Sequence, residues 1–121
     1  MDEFDVMMVV LRFNERINAR DLKGLVAMMT DDHFFIDSKG ERDDDMEEGW
    51  RGFFANYPDY RNVFTHVQVE GDFVAIAGHS TCSYDPLDGP ALWSARVRDR
   101  KVSEWRVYKD TPKNRRKIGL T

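Results

Sequence analysis

Asp37 is the residue of this chain whose type and setting could do chemistry. It closes the apolar run His33-Phe34-Phe35-Ile36, and Trp50, Phe53, Phe54, Tyr57 and Tyr60 follow it. A carboxylate held against Phe35, Trp93 and Trp105 would lose part of the hydration of its charged form. That is the condition for abstracting a proton near neutral pH. The competing role is structural: a loop-facing cap for the helix after Gly40.

Candidate partners for that acid come from the strands and the helix exit. Phe35, Tyr57, Ser80, Cys82, Trp93, Trp105 and Val107 are the candidate ligand-binding residues. The two tryptophans would hold a ring system, or else simply fill the core. Cys82 and Ser80 have no histidine on their face to make a nucleophile of them, so they read as small pocket-lining residues. His33, His66 and His79 fit no zinc spacing. His33, ahead of its strand, is expected to cap or to face water. Asp43-Asp44-Asp45 reads as a helix start, where carboxylates meet the positive end of the dipole. No metal site is expected.

The elements that must position these residues follow from periodicity. Residues 2–18 read as a helix, with Phe4, Met7, Met8, Leu11 and Ile17 at three- and four-residue spacing. Asp21 caps a short second helix. A strand runs from His33 to Asp37, and a third helix carries Met46, Trp50, Phe53 and Phe54 on one face until Pro58 ends it. From Asn62 the period changes to two, giving strands over 62–70, 73–84, 90–98 and 102–109. A two-residue turn at Gly71-Asp72 would pair Val69 with Val74, Val67 with Ile76, Thr65 with Gly78 and Val63 with Ser80. This register continues through Cys82, Trp93, Ala95, Val97, Trp105 and Val107, the last two brought in by a three-residue bulged turn. Small residues on that face (Gly78, Ser80, Cys82, Ala95) opposite large aromatics leave room for a ligand. The opposite face of the first two strands carries Phe64, His66, Gln68, Phe73, Ala75, Ala77 and His79. It is too apolar for open water, so a homodimer through strands 62–70 and 73–84 is expected. On the last two strands Arg96, Arg98, Glu104, Arg106 and Tyr108 look solvated.

Composition bounds the rest. The chain has 121 residues, enough for a single α+β domain over 1–121. A net charge of −4 disfavours nucleic acid, and the basic run Lys113–Lys117 reads as a solvated helix end. Cys82 is the only cysteine, so no internal disulfide forms. No apolar run reaches the ~20 residues of a membrane span. The acidic start MDEFDVMM lacks the basic region of a signal peptide, so a cytoplasmic location is expected.

The order of elements resembles the nuclear transport factor 2-like superfamily, and more narrowly its SnoaL-like, polyketide cyclase-related group. The resemblance rests on Phe35-Ile36-Asp37-Ser38-Lys39-Gly40, on Trp50 to Tyr57 (WRGFFANY), on Pro58-Asp59-Tyr60-Arg61, and on Lys101 to Asp110 (KVSEWRVYKD). It covers nearly the whole chain. It implies a cone-shaped, cystatin-like α+β barrel, a curved and mostly antiparallel sheet wrapped around N-terminal helices with a pocket inside. Asp37 falls where ketosteroid isomerases of this superfamily place their base. Their phenol donor would fall at Phe13 and their second acid near Trp93. The Arg and Asp of the epoxide hydrolases would fall at Gly78 and Ser80, and their last-strand Asp at Val107. The acid/base His and Asp of the cyclases would fall near Trp93 and Val107. The resemblance implies a small apolar ligand and, with Asp37 as general base, cofactor-independent isomerase, cyclase or dehydratase chemistry. The alternative is a non-catalytic dimeric module for ligand binding or structure.

Overall fold

Helix α1 (Glu3–Asn18) starts where the Asp2 carboxylate accepts the Asp5 amide. The computed structural model describes residues 1–120. The stripe that α1 buries is Val6, Val9, Val10, Phe13 and Ile17. Of the apolar set expected from the sequence, only Ile17 is fully inside, and Phe4 is 63% exposed. Two overlapping stripes fit the helical period here, and the valine–phenylalanine stripe is the one that meets the sheet: the Phe13 ring packs 5.0 Å from that of Trp105. Asp21 caps helix α2 (Leu22–Ala27), as expected, by accepting the Gly24 amide.

Strand β1 (Met29–Ile36) begins earlier than its apolar run, because Met29 pairs with Val102 of β6 (Lys101–Tyr108) ahead of an irregularity, after which Phe34, Phe35 and Ile36 pair in step. A two-residue strand, β2 (Arg42–Asp43), folds back on β1. Helix α3 (Met46–Asn56) follows, capped by Asp45. Strands β3 (Arg61–Glu70), β4 (Phe73–Thr81) and β5 (Gly89–Arg98) complete the meander into β6. The six strands form one curved, unclosed sheet in the order β2-β1-β6-β5-β4-β3, antiparallel except for β1 beside β6. The N-terminal helices lie against its concave side, the α+β arrangement expected.

The expected register holds at Val69–Val74 and Val67–Ile76 and then breaks. Thr65 is bulged out, so Phe64 rather than Thr65 meets Gly78, and Asn62 rather than Val63 meets Ser80. One extra residue reverses the facing of everything before it. Phe64, expected outside, therefore points in, and so does Asn62. The bulge depends on Gly78: a Cβ there would sit 2.1 Å from the Val63 carbonyl oxygen. The space that Gly78 was expected to leave for a ligand is filled by the backbone of β3. The last hairpin also differs in detail. Its turn is two residues, Asp99 and Arg100, both at positive φ (53° and 62°). The expected irregularity lies inside β6, between the Arg96–Glu104 and Val97–Val102 pairs.

The apolar outer positions that suggested a partner are covered by the chain's own end. Helix α4 (Pro112–Lys117) turns so that Ile118 and Leu120 bury against Ala75, Ala77, Leu92 and Tyr108. Gln68 Nε2 donates to the Gly119 carbonyl at 2.8 Å. Tyr108, expected in solvent, is buried with its hydroxyl bonded to that of Ser94 at 2.8 Å. Arg96 and Arg98 are exposed as expected.

Two outcomes follow. Gly78→Ala lowers stability by about 1–3 kcal/mol through overpacking, whereas Gly52→Ala, with nothing within 4 Å of its Cβ in the middle of α3, raises it by about 0.5–1 kcal/mol; urea denaturation of both variants checks the contrast. Leu120→Asp uncovers Ala75 and Ala77, and sedimentation velocity should show concentration-dependent self-association beyond that of the parent chain.

Candidate functional site

A cavity of about 710 Å³ lies between α3 and the concave face of the sheet, within the usual range of roughly 300–1,000 Å³ for small-molecule sites. Its base is aromatic. Trp93 and Trp105 are 0% and 1% exposed, with Phe64 packed 5.1 Å from Trp93 and Phe13 beneath Trp105. They both fill the core and floor the cavity, with the open volume above them. The face of α3 expected from its period forms the roof: Met46, Trp50 and Phe53 all line the space. Trp50 is held edge-on by Phe35 and Phe53.

The chain leaving α3 is fixed from behind. The Arg20 guanidinium donates to the carbonyls of Asn18, Tyr57 and Tyr60. This tie explains the Tyr57-Pro58-Asp59-Tyr60 exit as a structural joint that sets both tyrosine rings. Tyr57 lines the cavity and stacks on Tyr84 with ring centres 5.4 Å apart. Tyr60 lines it too, and burial pushes its phenol up to about 12. It is therefore an O–H group at neutral pH, able to donate but not to act as a base.

Asp37 stands on the cavity wall in the loop between β1 and β2, half-buried. Its Oδ1 accepts the amides of Lys39 and Glu41, both at 2.9 Å. The Asp37 amide in turn donates to the Glu41 carbonyl. This differs from a carboxylate stripped of water by Trp93 and Trp105, since its neighbours on the loop, Ser38, Lys39 and Glu41, are exposed. The capping role expected as the competing one is present, turned onto the loop rather than onto α3, whose cap is Asp45. Both loop bonds use Oδ1.

Phe35, Tyr57, Trp93, Trp105 and Val107 share the cavity lining with Asp37. Ser80 and Cys82 do not. Ser80 is buried and donates to the Leu87 carbonyl. Cys82 lies outside, its thiol against the Asp59 carboxylate at 3.5 Å. Hydrogen bonds from the side chain of Ser83, then from its backbone amide and the Cys82 thiol, hold the Asp59 carboxyl below its ordinary value.

Sequence reasoning missed Asn62. The bulge turns it inward, where it lines the cavity at 3% exposure. Three bonds hold it: its backbone N–H donates to Asn18 Oδ1 at 2.8 Å, its carbonyl accepts from Asn18 Nδ2 at 2.9 Å, and its side-chain Nδ2 donates to Asn14 Oδ1 at 3.1 Å. Asn14 and Asn18, one turn apart on α1, were the available signal. Asn62 Oδ1 has no partner in the protein, and neither have the indole N–H groups of Trp50 and Trp93. An unmet buried polar group costs about 1–3 kcal/mol.

These features define an α+β fold with a curved open sheet, N-terminal helices and an internal cavity. A family model for the SnoaL-like domain matches residues 10–110. The chain belongs to that family, within the nuclear transport factor 2-like superfamily. Solved structures share the fold at low identity. A candidate polyketide cyclase from Sinorhizobium meliloti superposes with a TM-score of 0.76 at 14% identity, covering 88% of this chain and 99% of its own. A candidate ketosteroid isomerase from Kribbella flavida gives 0.76 at 18% identity, covering 91% and 81%. An LEH-like epoxide hydrolase of M. tuberculosis gives 0.77 at 16%, covering 89% and 84%. No curated protein matches the chain. No helix among the described residues is long and apolar enough to cross a membrane.

His33 is corrected outright. It lies within β1, 5% exposed, with its ring 5.9 Å from that of Phe13. Nδ1 donates to the Val102 carbonyl at 2.7 Å, so the neutral ring leaves Nε2 unprotonated and without a partner. Burial pulls its pKa below the ordinary 6.5, outweighing the bond to Val102 and the charge of Asp32. Above that ordinary value His33 is neutral in both states and changes nothing. As pH falls below it, the unfolded chain takes up a proton that the folded chain resists, and stability drops until the depressed native pKa is reached. Thermal unfolding between pH 7 and pH 5 should therefore fall more steeply in the parent than in His33→Gln, with the exposed His66 and His79 common to both.

Proposed function

We propose that this SnoaL-like domain binds a small, largely apolar ring compound in the cavity and that Asp37 removes a proton from it without a cofactor. The observation that carries the reading is the placement of the Asp37 carboxylate on the wall of an aromatic cavity whose rim also carries Glu41 and Asp43, with Lys39 and Arg42. Rings of the ligand would lie between the Trp50–Phe53 roof and the Trp93–Trp105 floor, with Phe35 and Val107 at the side. Asp37 Oδ1 is committed to the loop amides, so Oδ2 is the oxygen that would take the proton. Fixing a base through one oxygen and using the other holds it in place for proton transfer. The protonated Tyr60 phenol would supply a hydrogen bond. The structural neighbours described as a candidate polyketide cyclase and a candidate ketosteroid isomerase fit proton abstraction next to a carbonyl, a reaction that needs neither metal nor redox group.

The second reading is binding without turnover. What favours it is the half-buried, loop-bonded state of Asp37, together with Phe13 and Val107 at positions where related enzymes carry polar groups. Its homodimeric form would have to use surface other than Ala75 and Ala77, which Ile118 and Leu120 cover.

Asp37→Asn separates the two, because the amide oxygen can still accept both loop N–H bonds and preserve the fold. With 2-tetralone in heavy water, NMR should show exchange of the protons beside the carbonyl catalysed by the parent and slowed about 10²-fold or more in Asp37→Asn, with affinity kept within about threefold. Equal exchange in both proteins removes Asp37 as the base and leaves binding alone.

A further inference from the structure

Helix α1 has two apolar faces, and the fold of one chain uses only one of them. Val6, Val9, Val10, Phe13 and Ile17 bury against the sheet. Phe4, Met8 and Leu11 lie within about 60° of one another on the far side of the helix, roughly opposite that stripe. Phe4 is 63% exposed, Met1 just ahead of the helix is 54% exposed, and Met8 and Leu11 are half-buried. A helix packed on one side only keeps its other side polar, whereas one that is apolar all round is covered all round. The outer ridge steps by four residues and then by three. That is the narrow seam by which two helices pair, distinct from the wider stripe a helix lays on a sheet.

The charges beside the ridge choose the partner. Asp5 and Arg12 flank the same side of it, two turns apart, and neither has an ion-pair partner among the described residues. A second α1 running antiparallel about a two-fold axis near Met8 sets Asp5 of each copy beside Arg12 of the other, so two pairs form at once. A parallel pair sets both charges against the opposite flank, where Met7 stands, and brings Glu15, which ends the ridge, up against its own copy. We propose that the outer ridge of α1 is a self-association surface, occupied by α1 of a second copy in antiparallel orientation. It is separate from the outer sheet positions that Ile118 and Leu120 cover and from the cavity, whose lining residues all lie outside α1. A few turns of helix on each side make an interface below the roughly 1,200 Å² of standard complexes. The dimer is therefore weak, with a dissociation constant on the order of 10–100 µM.

Sedimentation equilibrium of the full chain from about 5 to 500 µM tests this. The parent should pass from monomer to dimer across that range. Phe4→Glu and Met8→Glu, both on the outer side, should raise the dissociation constant more than about tenfold and leave the near-ultraviolet circular dichroism of the dilute protein unchanged. Asp5→Arg and Arg12→Asp should each weaken the dimer about 3–10-fold, and the double variant should return it to within about threefold of the parent. A parent that stays monomeric at the highest concentration overturns the proposal. So does a dimer that both glutamate variants leave intact, since the contact then lies on another surface. A double variant no tighter than the single ones overturns the antiparallel arrangement. If Met8→Glu does not fold, Phe4→Glu, at the more exposed site, decides.

Discussion

The close approach of two backbones at Gly78 is the constraint on which the rest of the structure depends. The Val63 carbonyl and the Phe64 Cα occupy the place a side chain would need. That contact fixes the bulge at Thr65, and the bulge decides which side chains of β3 look inward. Without it Phe64 would face away from Trp93, and Asn62 would leave the cavity and its two asparagine partners on α1. A single missing Cβ thus sets both the aromatic floor and the polar corner of the site.

The cavity is then a consequence of mismatch between layers. Trp93 and Trp105 are packed from below by Phe13 and Phe64 and cannot rise to meet α3. Helix α3 is kept off the sheet by its own aromatic face, where Trp50, Phe53, Phe54 and Tyr60 lean on one another. Arg20 locks the exit of that helix to the end of α1. What remains between is open space with stiff walls. Stiff walls suit a site whose polar groups must already be in place when a ligand arrives.

Local pattern made much of this legible. The cap at Asp21, the face of α3, the four-strand meander and the register near Gly71 all follow from periodicity and turn chemistry, and each is a short-range property. The placement of Phe35, Tyr57, Trp93, Trp105 and Val107 in one cavity followed from them. What escaped reading was set by tertiary contact. Val6, Val9, Val10 and Phe13 won over the methionine and leucine stripe of α1 because the sheet curves toward them. His33 was drawn into β1 by pairing with distant β6, and Ser80 and Cys82 were turned to the loop side by Leu87 and Asp59. An isolated glycine in a strand is a recognised mark of a bulge, so Gly78 carried the missing information in plain view.

The parallel pairing of β1 with β6 has a consequence in time. It is the longest-range joint in the sheet: His33 meets Val102 across 69 positions, and Phe35 pairs with Trp105. Closing so wide a loop is entropically costly, so such a joint forms late and slowly. Asp37 sits one residue beyond it. A chain with its hairpins already made would still lack Asp37 on the cavity wall, so the cavity is complete only once this joint has closed.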